Sequence, residues 1–170
     1  QKTIAVIGVG RVGLPLSLVL AKEGFEVIGV DIDKNHLQAI SNGKMPFIEP
    51  GAEEILKEVY GNGLTVVHED ALPYLLPKIE VVILTLGTTI DDSLNPNITQ
   101  VTAFFEKFQT SIQKGQLFIL RSTLSVGTTE YIAKFIKKNL NFEVGKDIYL
   151  AACPERIAEG RAIKELYELR

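Results

Sequence analysis

The 170-residue chain has one cysteine, two histidines and no run of basic residues. A single cysteine cannot close an internal disulfide, which excludes a stapled secreted scaffold and fits a reducing, cytoplasmic setting. A net charge of −3 without a basic cluster leaves no electrostatic footprint for nucleic acid. No apolar stretch approaches the roughly 18 residues that a membrane-spanning helix requires, and strand-like sequence begins too early to leave room for a signal peptide. Repeats, low-complexity tracts and linker-like segments are also missing. His36 and His68 read as ordinary, partly exposed side chains, and no metal site is expected. Residues 1–170 therefore read as one domain. It opens on Gln1, not Met, and closes on a helix-like stretch from Ala162 to Arg170, as a trimmed piece of a longer protein would.

What is present is concentrated near the N-terminus. The apolar run Ile4-Ala5-Val6-Ile7 leads into Gly8-Val9-Gly10-Arg11-Val12-Gly13, then a helical stretch to about Glu23, then a second strand ending in Asp31. Each glycine has its own task in such a turn. Gly8 allows a tight exit from the strand, Gly10 lets the backbone approach a pyrophosphate, and Gly13 lets helix and strand pack closely. The free N–H groups and positive dipole end of the helix then face the phosphates. Asp31 follows Gly10 by 21 residues, close to the separation of about 20 expected for an acid that binds ribose hydroxyls. A carboxylate there repels a 2′-phosphate, so NAD is expected over NADP.

Candidate strands lie at 3–8, 26–31, 64–67, 79–85, 117–121 and 148–153. Several are continuous apolar runs, such as Val81-Val82-Ile83-Leu84, as parallel strands covered on both faces require. Amphipathic stretches separate them, including one carrying Val12, Leu16, Val19 and Leu20 and one expected over 98–113. This alternation implies an α/β fold, a Rossmann-type doubly wound parallel sheet of about six strands with helices on both faces. Ligands in that architecture sit beyond the carboxyl ends of the strands.

The loops at those ends are rich in small hydroxyl residues and glycine. Thr85 to Asp92 follows the fourth strand, Arg121 to Glu130 the fifth, and Cys153 to Arg161 the sixth. Thr128 and Thr129 either cap the next helix or meet a ligand, and Thr123, nearer its strand, is equally open to both readings. Glu155 and Glu159 stand four residues apart at the sixth exit. A carboxylate near a nicotinamide can act as general base or orient a water. Cys153 reads as the end of a buried strand, where a thiol is a small hydrophobe and no nucleophile.

Five motifs in order carry a resemblance: GVGRVGLPLS from Gly8, NGKMPFIEPG from Asn42, GTTID from Gly87, RSTLSVGTT from Arg121 and PERIAEG from Pro154. Together they resemble the N-terminal NAD-binding domain of the UDP-glucose/GDP-mannose dehydrogenase family. The resemblance implies oxidation of a nucleotide sugar's 6-hydroxymethyl group to a carboxylate with two NAD, through an aldehyde captured by a cysteine and a thioester that is hydrolysed. It implies that Gly8, Gly10, Arg11, Val12 and Gly13 form the dinucleotide turn, that Asp31 binds ribose, and that Lys34 leans on the adenosine side. By the same likeness Thr88 contacts cofactor, although Gly87 and Thr89 replace the family's flanking prolines. Thr123 helps place a catalytic water, Glu155 is the cofactor-side glutamate, and Glu159 does acid–base work. The reactive cysteine, a lysine and an asparagine belong to later domains that are absent here, as does most of the UDP-sugar site. Pro-Glu-Arg followed by Gly160-Arg161 leans toward the branch acting on UDP-N-acetylmannosamine, with UDP-glucose and UDP-N-acetylglucosamine as other candidates. The parent enzyme is expected to be a homo-oligomer in the cytoplasm.

Two other readings compete. A stand-alone NAD-sensing module needs no Thr123 or Glu159, and a 6-phosphogluconate-type hydroxyacid dehydrogenase needs different loops after strands four to six.

Overall fold

The computed structural model describes residues 2–86, 96–122 and 125–168. In chain order the elements are β1 (Thr3–Ile7), α1 (Gly13–Lys22), β2 (Glu26–Asp31), α2 (Lys34–Ser41), α3 (Ala52–Val59), β3 (Leu64–His68), α4 (Leu72–Leu75), β4 (Val81–Leu84), α5 (Pro96–Phe108), β5 (Leu117–Leu120), α6 (Thr128–Leu140), β6 (Tyr149–Ala152) and α7 (Ala162–Glu168). The strands form one parallel sheet in the order β3-β2-β1-β4-β5-β6. The chain builds outward from β1 to β3, then returns to the other side of β1 and builds outward again. That reversal between β1 and β4 is where a doubly wound sheet opens a crevice.

Side chains alternate across the strands, so each face carries its own core. Ile4, Val6 and Ile83 face a cluster with Leu14 and Leu18 of α1, Ile40 of α2 and Leu56 of α3. Ala5, Ile7, Val82 and Leu84 face the opposite cluster with Phe104, Phe105 and Phe108 of α5 and Ile132 and Ile136 of α6. Pro15 sits in the first turn of α1, where its missing N–H costs nothing. α7 returns to lie against α1, and Ile163 joins the core of that face.

All six expected strands are present, ending within two residues of their expected limits. Other expectations shift. The helix expected over 98–113 begins at Pro96 and stops at Phe108, where the Ser111 N–H turns back to the Phe108 carbonyl. The link between β3 and β4 is a broken run of short helical turns over 69–78, interrupted by Pro73 and Pro77. Thr128 and Thr129 do not cap α6. Gly127, at φ 86°, takes that position and Thr128 is buried one residue inside.

Cys153 departs from the expectation of a buried strand end. It is exposed, not buried, because β6 is the sheet's edge strand and ends one residue earlier. Its N–H still reaches the Leu120 carbonyl at 2.9 Å. Its sulfur instead accepts from Arg121 Nη1 at 2.9 Å.

Candidate functional site

The three glycines of the first turn separate by what a side chain would strike. A Cβ at Gly13 would lie 1.7 Å from the Gly8 carbonyl oxygen and 2.5 Å from Thr85 Oγ1. Gly8 has φ +92°, and a Cβ there would approach the Thr85 carbonyl oxygen to 2.8 Å. Both are therefore required by the protein's own packing. Gly10 is different, since a Cβ there meets nothing within 4 Å. The space above Gly10 is open, which is what close approach of a ligand's phosphates needs and what folding does not.

α1 begins directly after this turn without a side-chain cap and without an acid in its first turn. α2 shows the ordinary alternative, because Asp33 accepts from the N–H groups of Asn35 at 2.9 Å and His36 at 3.2 Å. In α1 the Leu14 N–H turns back to the Gly10 carbonyl at 3.0 Å and Pro15 has none, so the Gly13 N–H at the turn is the one without a side-chain cap, and a phosphate can supply its acceptor.

Asp31 closes the site from β2. Its Oδ2 accepts from Val9 N–H at 3.0 Å, and its Oδ1 accepts from Ile32 N–H at 2.8 Å and Asp33 N–H at 3.0 Å. The carboxylate thus fixes the glycine turn as well as its own strand end. Oδ1 is occupied by two donors, whereas Oδ2 takes only the Val9 N–H and keeps a lone pair that can accept from a ribose hydroxyl.

A cleft of about 830 Å³ opens over this turn, lined from the carboxyl ends of all six strands. Gly8, Gly10, Arg11, Val12 and Gly13 line one side with Asp31 and Ile32, and Phe104, Lys107 and Phe108 of α5 line another. The Lys107 ammonium is paired with Glu69 there. Thr85 lies 2.6 Å from the Gly8 carbonyl and 2.9 Å from that of Ile7, so its single hydroxyl hydrogen ties β4 to the turn.

Arg121 and Glu155 complete the lining. Glu155 Oε1 accepts from the N–H groups of Arg156 at 2.7 Å and Ile157 at 2.6 Å, which shapes its loop. Its Oε2 lies 3.2 Å from Arg121 Nε, with the two side chains only 12% and 16% exposed. Charge attracts them, yet neither atom has hydrogen-bond geometry to any partner. The two therefore form a largely buried ion pair on the cleft wall whose hydrogen bond is not aligned.

The other expected residues divide. Glu159 is not among the cleft-lining residues. Its carboxylate is largely exposed, 3.7 Å from Arg11 Nη1, a pair worth little in solvent. Lys34 is exposed at the start of α2 and does not line the cleft. Thr88 and Thr123 lie outside the described residues. Among the described residues no group of three His, Cys, Asp or Glu side chains could hold a metal ion.

Sequence reasoning gave no role to three residues that matter here. Glu49, 8% exposed, accepts from the N–H groups of Gly160 at 3.1 Å and Ile163 at 3.4 Å, fastening the loop that carries Glu159. Phe47 lies beneath the Arg11 guanidinium at 5.4 Å. Arg121 holds both Glu155 and Cys153. Their partners are tens of residues away, so no spacing in the sequence announces them.

The model of the UDP-glucose/GDP-mannose dehydrogenase family, NAD binding domain, matches residues 2–169. The UDP-N-acetyl-D-mannosamine dehydrogenase of Campylobacter jejuni is 34% identical over 97% of this chain and 41% of its own length. The enzyme of the same name from Escherichia coli K12 is 32% identical over 96% of this chain and 40% of its own. Among solved structures, the UDP-D-ManNAc dehydrogenase of Pyrococcus horikoshii superposes with a TM-score of 0.86 at 32% identity, covering 97% of this chain and 39% of that one. The chain thus spans about two fifths of the length of these relatives.

Proposed function

The chain belongs to the UDP-glucose/GDP-mannose dehydrogenase family as its NAD-binding domain, and from that premise we propose that it is the cofactor half of a nucleotide-sugar 6-dehydrogenase. The favoured substrate is UDP-N-acetylmannosamine, whose C6 alcohol becomes a carboxylate. The relatives with that name support this choice, as does the Pro154-Glu155-Arg156 loop with Gly160-Arg161. Turning an alcohol into an acid removes four electrons, so two NAD are consumed for each sugar. NAD, when bound, supplies the acceptor for hydride.

The residues present fit that cofactor. The observation that carries the reading is the uncapped start of α1 beside an unobstructed Gly10. Backbone N–H groups of the turn bind the pyrophosphate there, with Arg11 and Val12 flanking it, and Asp31 accepts from the adenine-side ribose. Glu155 lines the cleft as the cofactor-side glutamate, its Oε2 ion-paired with Arg121. Thr123 orients water and Glu159 serves as the acid–base group for thioester hydrolysis. The cysteine that bears the acyl group comes from a later domain, as does most of the UDP-sugar contact.

Calorimetric titration with NAD and NADP, followed by an assay of the longer parent chain with UDP-sugars, tests the reading. NAD is expected to bind more tightly, because the Asp31 carboxylate repels a 2′-phosphate, and the preferred sugar should yield two NADH. Preference for NADP, or no NADH from any UDP-sugar, would overturn it.

A further inference from the structure

The peptide units on both sides of Val9 are held from outside the turn. Asp31 Oδ2 takes the Val9 N–H at 3.0 Å. On the other side, His36 Nε2 lies 2.7 Å from the Val9 carbonyl oxygen, across 27 residues of chain. A carbonyl can only accept, so Nε2 must carry the hydrogen. The imidazole is held in that pose by Phe47, whose ring stacks on it at 6.3 Å between centroids and 30° between planes. The Val9 side chain is wholly buried, and a Cβ on Gly29 would come within 2.7 Å of its Cγ1. Val9 is thereby fixed at its N–H, its carbonyl and its side chain.

We propose that His36 is a positioning residue for cofactor binding, which orients the Val9–Gly10 peptide by donating Nε2–H to the Val9 carbonyl. A trans peptide is planar, and its C=O and N–H point in opposite directions. Anchoring the Val9 oxygen on His36 therefore sets the direction of the Gly10 N–H, on the residue whose open space receives the phosphates. His36 does not itself line the cleft, and it acts only through the turn. The glycine motif supplies the freedom to adopt this geometry, whereas Asp31 and His36 remove that freedom once the chain has folded. Preorganisation of this kind lowers the ordering cost that a ligand must otherwise meet. The inference rests on the pyrophosphate reading above.

The test compares His36→Leu, which keeps bulk and loses the donor, with His36→Gln, whose amide nitrogen reaches about as far as Nε2. In the full chain, NAD affinity should fall about fivefold to tenfold in the Leu variant and recover to within about twofold in the Gln variant. Hydrogen exchange of the peptide spanning residues 8–12, without NAD, should be faster in the Leu variant and near wild type in the Gln variant. Should the Leu variant fail to fold, His36→Asn, too short to reach Val9, takes its place with the same expectations. Unchanged affinity and exchange in the Leu variant, or equal weakening in Leu and Gln, overturns the proposal. If the wild-type chain does not bind NAD at all, the cofactor reading fails instead, and the exchange comparison still decides whether His36 orders the turn.

Discussion

The glycine turn and the loop after β6 face the same cleft but are held in opposite ways. The turn is fixed by close packing and part-buried hydrogen bonds: Gly8 and Gly13 leave no room for a Cβ, Asp31 takes the Val9 N–H, and the Thr85 hydroxyl reaches the Gly8 carbonyl. The 153–161 loop has mostly exposed residues and, beyond the local bonds of Glu155 and Glu165, depends on charged side chains from other elements. Those side chains are Arg121 on Glu155, Arg11 on Glu159 and Glu49 on Gly160. One region is closely packed, while the other leaves the Arg121–Glu155 pair without an aligned hydrogen bond and the Glu159 carboxylate in solvent. The turn is thus ordered by its packing, whereas the loop is held mainly at its charged side chains.

The sharpest way to break this contrast lies within the turn itself. Gly13→Ala forces a Cβ to 1.7 Å from the Gly8 oxygen, and should lower unfolding free energy by about 3 kcal/mol. Gly10→Ala meets no protein atom, so stability should move by less than about 1 kcal/mol. NAD binding should nonetheless weaken about tenfold or more, which is about 1.4 kcal/mol. Urea unfolding beside calorimetry separates the two effects.

Asp31→Ala comes next. It removes the acceptor of three N–H groups and should weaken NAD binding by about 1–3 kcal/mol. Unchanged affinity would take Asp31 out of the site.

Glu49→Gln probes the other region. An amide oxygen replaces only one of the two carboxylate acceptors, so about 1 kcal/mol of stability should be lost. Hydrogen exchange should quicken over 155–163 and stay unchanged over 8–13. Equal quickening in both segments would show that the two regions are not held independently.

How much of this was legible depends on the range of the interaction. The six strands, the two-faced core and the first turn follow from local patterns: apolar runs, glycine spacing and an acid at a fixed distance. The early end of α5 was not legible, because no glycine or proline stands where the helix stops at Phe108. Cys153 departs from the burial expected of a parallel strand because β6 is an edge. Glu49, His36 and Arg121 stayed hidden because their partners lie 111, 27 and 32 residues away. The order of the motifs indicated the family, but the site's supporting contacts exist only after folding.

The smallest expected effect is at the approach to β6. The Lys114 ammonium hydrogen-bonded to Asp147, aided by the Glu143 N–H, holds the Asp147 carboxyl below its ordinary value. A carboxyl depressed in the folded state stabilises at pH above its unfolded value and loses that contribution as pH falls through its folded value. Asp147→Asn should therefore flatten the acid side of the stability profile slightly, without altering NAD affinity.

A crystal structure of the chain with NAD addresses the central claim most directly. The account predicts the pyrophosphate against the backbone N–H groups at the start of α1, over Gly10, with an adenosine ribose hydroxyl on the Asp31 carboxylate. A pyrophosphate seated away from residues 10–13, or Asp31 facing no ribose, would contradict it.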